Sequence, residues 1–304
     1  MPVPPAALSN TQTSLRVICD YRSVAEQDRG ACAVIGNFDG VHLGHQMIIN
    51  LARDAARRYG APLGVVTFEP HPRSLFGADP EPFRLTPPSR RAERLAQIGV
   101  ETLYQLPFDA ALAGLSPEDF VRRVIHAGLG LRHVVVGANF RFGKRRAGDT
   151  ATLETLCAAY GIGVSVAPLV QDPFSRISST SIRRALASGQ PRLAAERMGD
   201  DHRVVGVARR TGANDIALTL TERGHAIADL MLPRPGLYSI TAEPRGDNAR
   251  RYRGLARIYQ RVPPFQTPVQ IDLTLFHGGD LQGDDDLNGA ELSVALCDYH
   301  GDCC

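Results

Sequence analysis

The run Ala31 to Ile35 is continuously apolar. It breaks into Gly36-Asn37-Phe38-Asp39-Gly40-Val41-His42-Leu43-Gly44-His45-Gln46, after which Met47, Ile48, Leu51, Ala52 and Ala55 fall at three- and four-residue steps. That order reads as strand, turn, helix. Such a turn gathers free backbone N–H groups and the positive end of the helix dipole at one spot, where phosphate binds. The glycines let backbone approach a ligand closely. His42 and His45 are three apart and share a face if the helix begins between them. Two imidazoles aimed at a phosphate can donate hydrogen bonds to charge building up on phosphoryl oxygens. The plain alternative is a core turn with two incidental histidines.

The whole string is more specific than the histidine pair. It resembles the His-x-Gly-His signature of the nucleotidyltransferase superfamily. In the form Gly-x-Phe-Asp-Gly-x-His-x-Gly-His it resembles the FAD synthetase module of bacterial bifunctional riboflavin kinase/FAD synthetases.

Three further strings test that resemblance in chain order. Leu63 to Phe68 is an apolar strand of the kind buried on both faces of a parallel sheet. It ends in Thr67-Phe68-Glu69-Pro70-His71-Pro72, whose prolines fix a rigid loop at the carboxyl end of the strand, where ligands of open α/β sheets sit. The family carries Thr-Phe-x-Pro-His-Pro there. His71 reads equally as a ligand contact or as a loop histidine held by backbone. His133 to Val136 is another buried strand, and Gly137-Ala138-Asn139-Phe140-Arg141-Phe142-Gly143 after it resembles the family's Gly-x-(Asp/Asn)-Phe-x-Phe-Gly. An amide at Asn139 can read a flavin ring edge, Phe140 and Phe142 offer flat apolar surface, and Lys144 to Arg146 can meet phosphate charge. Core phenylalanines beside a solvated basic turn are the plain alternative. Last, Arg176-Ile177-Ser178-Ser179-Thr180-Ser181-Ile182-Arg183 matches the family's Ile-Ser-Ser-Thr-x-Ile-Arg at every specified position. Hydroxyls and N–H groups at a helix start would hold a triphosphate, with Arg183 forking onto its oxygens; an ordinary Ser/Thr cap is the plain reading.

Between these motifs the pattern predicts strands at Leu15 to Cys19, Glu101 to Leu106 and Gly163 to Leu169. Helices are expected over Ser89 to Ile98, from Ser116-Pro117-Glu118-Asp119 to about Ala127, and over Thr152 to Tyr160. Arg90, Arg91 and Arg94 are expected on a solvated helix face, Tyr21 to Gly30 on the surface, and Phe108 to Leu115 as a loop. Met1 to Ser14 reads as loose and Met198 to His202 as a linker.

Beyond it the character changes. Val204 to Val207, Ile216 to Leu220, Leu237 to Thr241, Ala256 to Tyr259, Val269 to Phe276 and Ala290 to Leu296 read as short strands, separated by turns such as Gly278-Gly279-Asp280. That spacing suggests a small antiparallel barrel, and in the family this place is held by the riboflavin kinase barrel. Gly206-Val207, Pro235-Gly236-Leu237-Tyr238 and Asp286-Leu287-Asn288-Gly289 echo it. The family's Pro-Thr-Ala-Asn is absent between Val207 and Pro235, and Gln270 aligns with the glutamate that would act as base. An amide cannot take that proton. The barrel therefore reads as catalytically degenerate. The acidic run Asp284 to Asp286 reads as a solvated loop rather than a metal site.

A chain of 304 residues accommodates two domains, expected at 15–199 and 203–304. The expected fold is α/β: a Rossmann-like, doubly wound parallel sheet followed by a small antiparallel β-barrel. Net charge of +2 demands neither nucleic acid nor an anionic membrane as partner. The six cysteines lack zinc spacing and read mostly as reduced and buried, with Cys303 and Cys304 as an exposed terminal pair. No signal peptide and no apolar run of membrane length is read, so a cytoplasmic protein is expected.

The resemblance implies transfer of an adenylyl group from MgATP to FMN, giving FAD and pyrophosphate. His42 and His45 would stabilise the transition state, and Ser179, Thr180 and Arg183 would hold the outer phosphates. Gly36, Phe38, Asp39 and Gly44 would form the ATP-binding turn. Phe68, His71, Asn139, Phe140 and Phe142 would receive the flavin, and Mg²⁺ would be carried mainly by the ATP phosphates. The rivals are the complete bifunctional enzyme, nucleotidyl transfer to a modified flavin, and a non-catalytic flavin-binding protein.

Overall fold

The continuous apolar runs of the first half assemble as the sequence predicts. In this computed structural model the described residues are 14–76, 81–168, 177–222, 225–226, 229–246, 250–260, 269–276 and 287–302. The expectations for the first thirteen residues, Arg176, Gly278 to Asp280, Asp284 to Asp286, Cys303 and Cys304 lie outside them.

Six parallel strands form one sheet: β1 (Arg16–Ile18), β2 (Cys32–Ile35), β3 (Leu63–Glu69), β4 (Thr102–Pro107), β5 (His133–Gly137) and β6 (Gly163–Ala167). Their order is β1-β4-β3-β2-β5-β6. From β2 the chain winds one way through β3 and β4, and then the other way through β5 and β6. The reversal lies between β2 and β5, and crevices at such switch points receive ligands in doubly wound sheets. Gly36 leaves one of those strands and Gly137 ends the other. β2 is buried along its whole length, which is why its sequence is an uninterrupted Cys-Ala-Val-Ile.

Eight helices are described: α1 (Leu43–Tyr59), α2 (Pro72–Phe76), α3 (Pro88–Gln97), α4 (Ala110–Ala113), α5 (Pro117–Asp119), which runs on as a π-helical segment over Phe120–Gly128, α6 (Thr150–Ala158), α7 (Ser179–Ala187) and α8 (Pro191–Met198). Ser116 caps α5 by accepting from the Asp119 N–H, and Phe120, Val121, Val124 and Ile125 of the segment that follows are buried in the core beside the sheet.

Two expectations fail here. Phe108 to Leu115 is not all loop: Asp109 accepts from the Leu112 N–H at 2.7 Å and starts a short helical turn. Tyr21 is not a surface residue but joins the core under β2 and β5, because one aromatic ring in a polar stretch is enough to fold it inward.

The second sheet contains β7 (Arg203–Arg210), β8 (Asp215–Glu222), β9 (His225–Ala226), β10 (Gly236–Pro244), β11 (Tyr252–Ile258), β12 (Gln270–Phe276) and β13 (Glu291–Gly301). Neighbours run β12-β11-β10-β13-β7-β8, all antiparallel, and β12 pairs back onto β8. That pairing closes a six-stranded barrel and removes its edges; β9 only extends β8. Alternate residues point inward, giving a core that includes Leu218, Leu220, Tyr238, Ile240, Ile271, Leu273, Leu292 and Val294.

By contact density the chain divides into two compact units. One comprises the chain as far as Gly36 with Ile49–Glu69 and Ala92–Ala167, and so holds the parallel sheet. The other comprises Asn37–Ile48, Pro70–Arg91 and the chain from Pro168 onward, and so holds the barrel, α7 and α8. Met198 and His202, in the stretch read as a linker, are both buried. Of the described cysteines, Cys32 and Cys157 are buried, Cys297 is half-buried and Cys19 is exposed; all four are free thiols. No helix among the described residues is long and apolar enough to cross a membrane.

Candidate active site

The turn after β2 is held in an uncommon backbone shape. Phe38 and Val41 both have positive φ, at 52° and 41°, although neither is glycine, and both are buried. Left-handed backbone at non-glycine residues is strained and persists only where surroundings hold it in place. Asp39 supplies much of that hold. Its Oδ1 accepts from the N–H groups of Leu85 at 2.9 Å and Thr86 at 3.2 Å, and its Oδ2 accepts from Arg183 Nη2 at 2.6 Å. Gly40 N–H adds a bond to Thr86 Oγ1 at 3.1 Å. Burial pushes the Asp39 carboxyl upward while Arg183 and the Thr86 N–H pull it down. Every partner within reach donates, so the ionised carboxylate is the form this turn accommodates.

The turn delivers the two histidines onto the start of α1. Their rings stack, with centroids 3.6 Å apart and planes 15° from parallel, and Phe38 leans on His45 at 5.0 Å. His42 Nδ1 accepts from the His45 backbone N–H at 3.2 Å. An accepting Nδ1 places the proton of the neutral ring on Nε2, so His42 presents an N–H donor. Burial lowers the His42 pKa to about 4 and holds His45 well below the usual range. Both rings are therefore neutral at pH 7. Gly44 is required by this stack: a Cβ there would stand 3.2 Å from the His42 ring and 3.2 Å from the Ile177 carbonyl.

Around this turn stand residues from Pro70–Arg91 and from α7. Arg183 reaches Asp39 through Nη2 and the Phe83 carbonyl through Nε at 2.6 Å, leaving Nη1 outside both bonds. Ser179 Oγ donates to the Asp39 carbonyl at 3.0 Å, and Thr180 is exposed at the first turn of α7. Ser178 and Ser181 form a reciprocal capping box at that helix start. His71 is buried; its Nδ1 accepts from the Arg73 N–H at 3.1 Å, and its ring meets Phe83 edge-on at 5.0 Å. Burial, with Arg84, Arg183 and Arg91 nearby, lowers the His71 pKa to about 4.

Sequence reasoning missed several parts of this arrangement. Arg91, expected on a solvated face, is 1% exposed and extends toward the Asn37 carbonyl, 3.5 Å from its Nη1. The helical pattern of α3 fails there because its first turn packs against the motif turn rather than facing water. Arg90 is also drawn in, pairing with Asp200 at 2.6 Å. The stretch Phe83 to Leu85 is pinned from its other side. Phe83 and Arg84 N–H groups donate to the Asp229 carbonyl at 3.0 and 2.9 Å, Met231 N–H donates to the Arg84 carbonyl at 2.8 Å, and Arg84 Nε pairs with the Asp229 carboxylate at 2.8 Å. Nothing local in the sequence signals a partner 145 residues away.

The remaining predicted residues lie in the unit that holds the parallel sheet. Gly36 N–H donates to the Val66 carbonyl at 3.1 Å. Phe140 and Phe142 stack at 5.6 Å; Phe142 is buried against Phe120, Phe140 is half-buried and Asn139 is exposed. The loop from Phe142 to Gly148 is clipped by hydrogen bonds in both directions between those residues, at 3.1 and 2.9 Å. Phe68 meets Phe108 edge-on at 5.7 Å. Among the described residues no group of three or more His, Cys, Asp or Glu is placed to hold a metal.

Comparison with known proteins shows the family to which this chain is similar. The profile of the FAD synthetase family matches residues 24–181. The bifunctional riboflavin kinase/FMN adenylyltransferase of Pseudomonas fluorescens is 34% identical over 251 residues, covering 80% of this chain and 77% of that protein. The protein of the same description from Bacillus subtilis (strain 168) is 28% identical over 271 residues, covering 87% and 84%. An FAD synthetase of Listeria monocytogenes is 36% identical over 200 residues, covering 64% of this chain and 80% of its own length. A crystal structure described as a macrolide-efflux protein from Streptococcus pneumoniae superposes with a TM-score of 0.77 over 95% of this chain and 91% of its own, at 24% identity, and carries the same fold.

Proposed function

This chain belongs to the bifunctional riboflavin kinase/FMN adenylyltransferase family, and on that premise we propose that it makes FAD and pyrophosphate from FMN and MgATP. The observation that carries the reading is the His42–His45 stack, in which His45 holds Nδ1 of His42 so that Nε2–H points away as a donor. In the reaction an FMN phosphate oxygen forms a bond to the α-phosphorus, and the bond from that phosphorus to the pyrophosphate oxygen breaks. The attacking oxygen is already ionised, so no base is needed. What remains for the protein is alignment and stabilisation of charge on the phosphoryl oxygens. His42 and His45 supply neutral donors for that charge. Ser179, Thr180 and the remaining Arg183 Nη1 hold outer phosphates, within the turn formed by Gly36, Phe38, Asp39 and Gly44. Phe68, His71, Asn139, Phe140 and Phe142 receive the flavin.

Mg²⁺, carried on the nucleotide as part of the substrate, would neutralise phosphate charge there. Among the described residues no group of three or more His, Cys, Asp or Glu is placed as a metal cage, and Asp39 faces only donors. We assign this chemistry to residues 15–199 and read 203–304 as a barrel without kinase catalysis. Gln270 stands exposed on β12 where the family places its base, and its Nε2 donates to Asp272 at 3.3 Å.

A second reading, the complete bifunctional enzyme, is favoured by the matched length of relatives that carry both activities in their names. It is favoured also by the Asp272 carboxylate beside Gln270.

One experiment separates them. Purified chain, Mg²⁺ and ATP are offered FMN in one tube and riboflavin in another, and flavins are resolved chromatographically. FAD from FMN with riboflavin untouched is the expected result. FMN or FAD from riboflavin establishes a live kinase. No product from either tube refutes the proposal and leaves a modified flavin acceptor or a non-catalytic flavin binder.

A further inference from the structure

Phe83 lies outside the four family strings, yet its surroundings are not those of an ordinary core phenylalanine. Leu85, two residues on, packs in an apolar cluster with Ile182 and Leu186, and Phe83 is not a member of that cluster. Its ring is buried among polar neighbours. The His71 imidazole meets it edge-on at 5.0 Å, the Arg73 guanidinium carbon lies 4.8 Å from its centroid, and that of Arg183 lies 5.7 Å away. The face of a phenyl ring carries partial negative charge, so a guanidinium within about 6 Å of the centroid is attracted to it. Phe83 also holds Arg183 through its backbone, its carbonyl accepting from Nε at 2.6 Å. The Phe83 N–H donates in turn to the Asp229 carbonyl at 3.0 Å, so ring and carbonyl start from an anchored backbone.

These contacts bear on one nitrogen. Asp39 binds Arg183 Nη2 and the Phe83 carbonyl binds Nε, with Nη1 outside both bonds. A guanidinium is planar and weakly hydrated, and it stacks on aromatic faces. The ring takes a place beside the Arg183 guanidinium that water would otherwise fill, and so narrows the directions in which Nη1 points. An aliphatic side chain at this position would keep the carbonyl bond and lose that restraint.

We propose that Phe83 is a positioning residue for the nucleotide: its ring face and its backbone carbonyl together aim Arg183 at the outer phosphates. The inference rests on the nucleotidyl-transfer reading for the identity of that ligand. It adds that the electron density of the Phe83 ring, and not its bulk alone, sets nucleotide affinity.

The test alters the charge of the ring face and leaves its shape nearly unchanged. In the full chain, Phe83 is replaced by mono-, di- and trifluorophenylalanine, each fluorine drawing electron density from the face. Affinity for MgATP is read by titration calorimetry without FMN. It is expected to fall in step with fluorination, about twofold for one fluorine and about tenfold for three, while thermal midpoints stay together. Phe83→Leu should match the trifluoro chain; if it does not fold, the fluorinated series decides alone. In turnover the ATP KM should rise by the same factors with kcat nearly unmoved, as for a contact made equally in ground and transition states. In an Arg183→Leu background the trend should vanish. A trifluoro chain within about twofold of the parent overturns the proposal, since the cation–π contact then contributes nothing to binding. A trend that persists without Arg183 overturns it too, as does a parent that binds no MgATP. A chain whose MgATP affinity follows the series but which makes no FAD refutes the FMN reading and leaves the role of Phe83. A chain that makes FAD with a flat series refutes that role and leaves the reading.

Discussion

Asp39→Asn removes one charge from the centre of the turn and changes no volume. In the parent, Oδ1 takes two backbone N–H groups and Oδ2 takes the Arg183 guanidinium. An asparagine keeps its oxygen on the two N–H groups and turns its amide toward Arg183. A donor then faces a donor across 2.6 Å, and the guanidinium, with its side chain only 18% exposed, loses its counter-charge. Breaking a buried pair from one side costs about 3–5 kcal/mol. Arg183 retains some solvent and its bond to the Phe83 carbonyl, so the lower end, about 3 kcal/mol, is expected. In urea that moves the unfolding midpoint down by about 1 M, taking a slope near the top of the usual range of about 1–3 kcal/mol per molar. The reasoning locates the loss in an orphaned charge, which a second substitution checks. Arg183→Leu in the Asp39→Asn background should recover stability, with a coupling energy of about 1.5 kcal/mol or more in the double-mutant cycle. A single-variant shift below about 0.3 M, or additivity within about 0.5 kcal/mol, would show that the pair does not brace this turn.

The other predictions concern the histidines. His42, His71 and His202 have pKa values lowered to about 4 by burial, so below about pH 6.5 the unfolded chain takes up protons that the native one refuses. Stability is therefore complete above about pH 6.5 and lost as pH falls toward 4, by about 1.4 kcal/mol per pH unit for each ring. Urea midpoints at pH 7, 6 and 5 read this slope, and His202→Leu should flatten it by about one proton; an unaltered slope counts against the assignment. His45→Ala should lower turnover of FMN and ATP by a factor on the order of 10² while flavin fluorescence still reports FMN binding, and undiminished turnover removes this ring from the mechanism. Gly44→Ala should leave the thermal midpoint within a few degrees but lower kcat, because its methyl group displaces the His42 ring; a parent-like kcat would mean that the ring position is not critical.

What could be read from the sequence was local. Glycine and proline punctuation, apolar runs and the Ser116 and Ser178 caps located strands and helices to within a few residues. Alternating barrel strands announced a closed β structure, since an inward face repeats every second residue. What escaped depends on contacts between distant segments. Arg91 reads as a surface residue on any helical wheel and is buried because a particular turn covers it. The positive φ at Phe38 and Val41 has no composition signal, for these are the residue types least expected there. Arg183 looked like a phosphate fork by its place after the serines, yet two of its three guanidinium nitrogens are already bonded.

The stretch Phe83 to Leu85 has Asp39 on one side and Asp229 to Met231 on the other. Leu230, in the middle of that second segment, is part of the barrel's apolar interior. The histidine-bearing turn is thus buttoned, two hydrogen-bonded steps away, to the barrel. A lineage that discarded the barrel would also discard the partner of Arg84 and loosen the seat of Asp39. Shared fastenings of this kind make a fold hard to prune, and give a barrel reason to be inherited whether or not it still turns over a substrate.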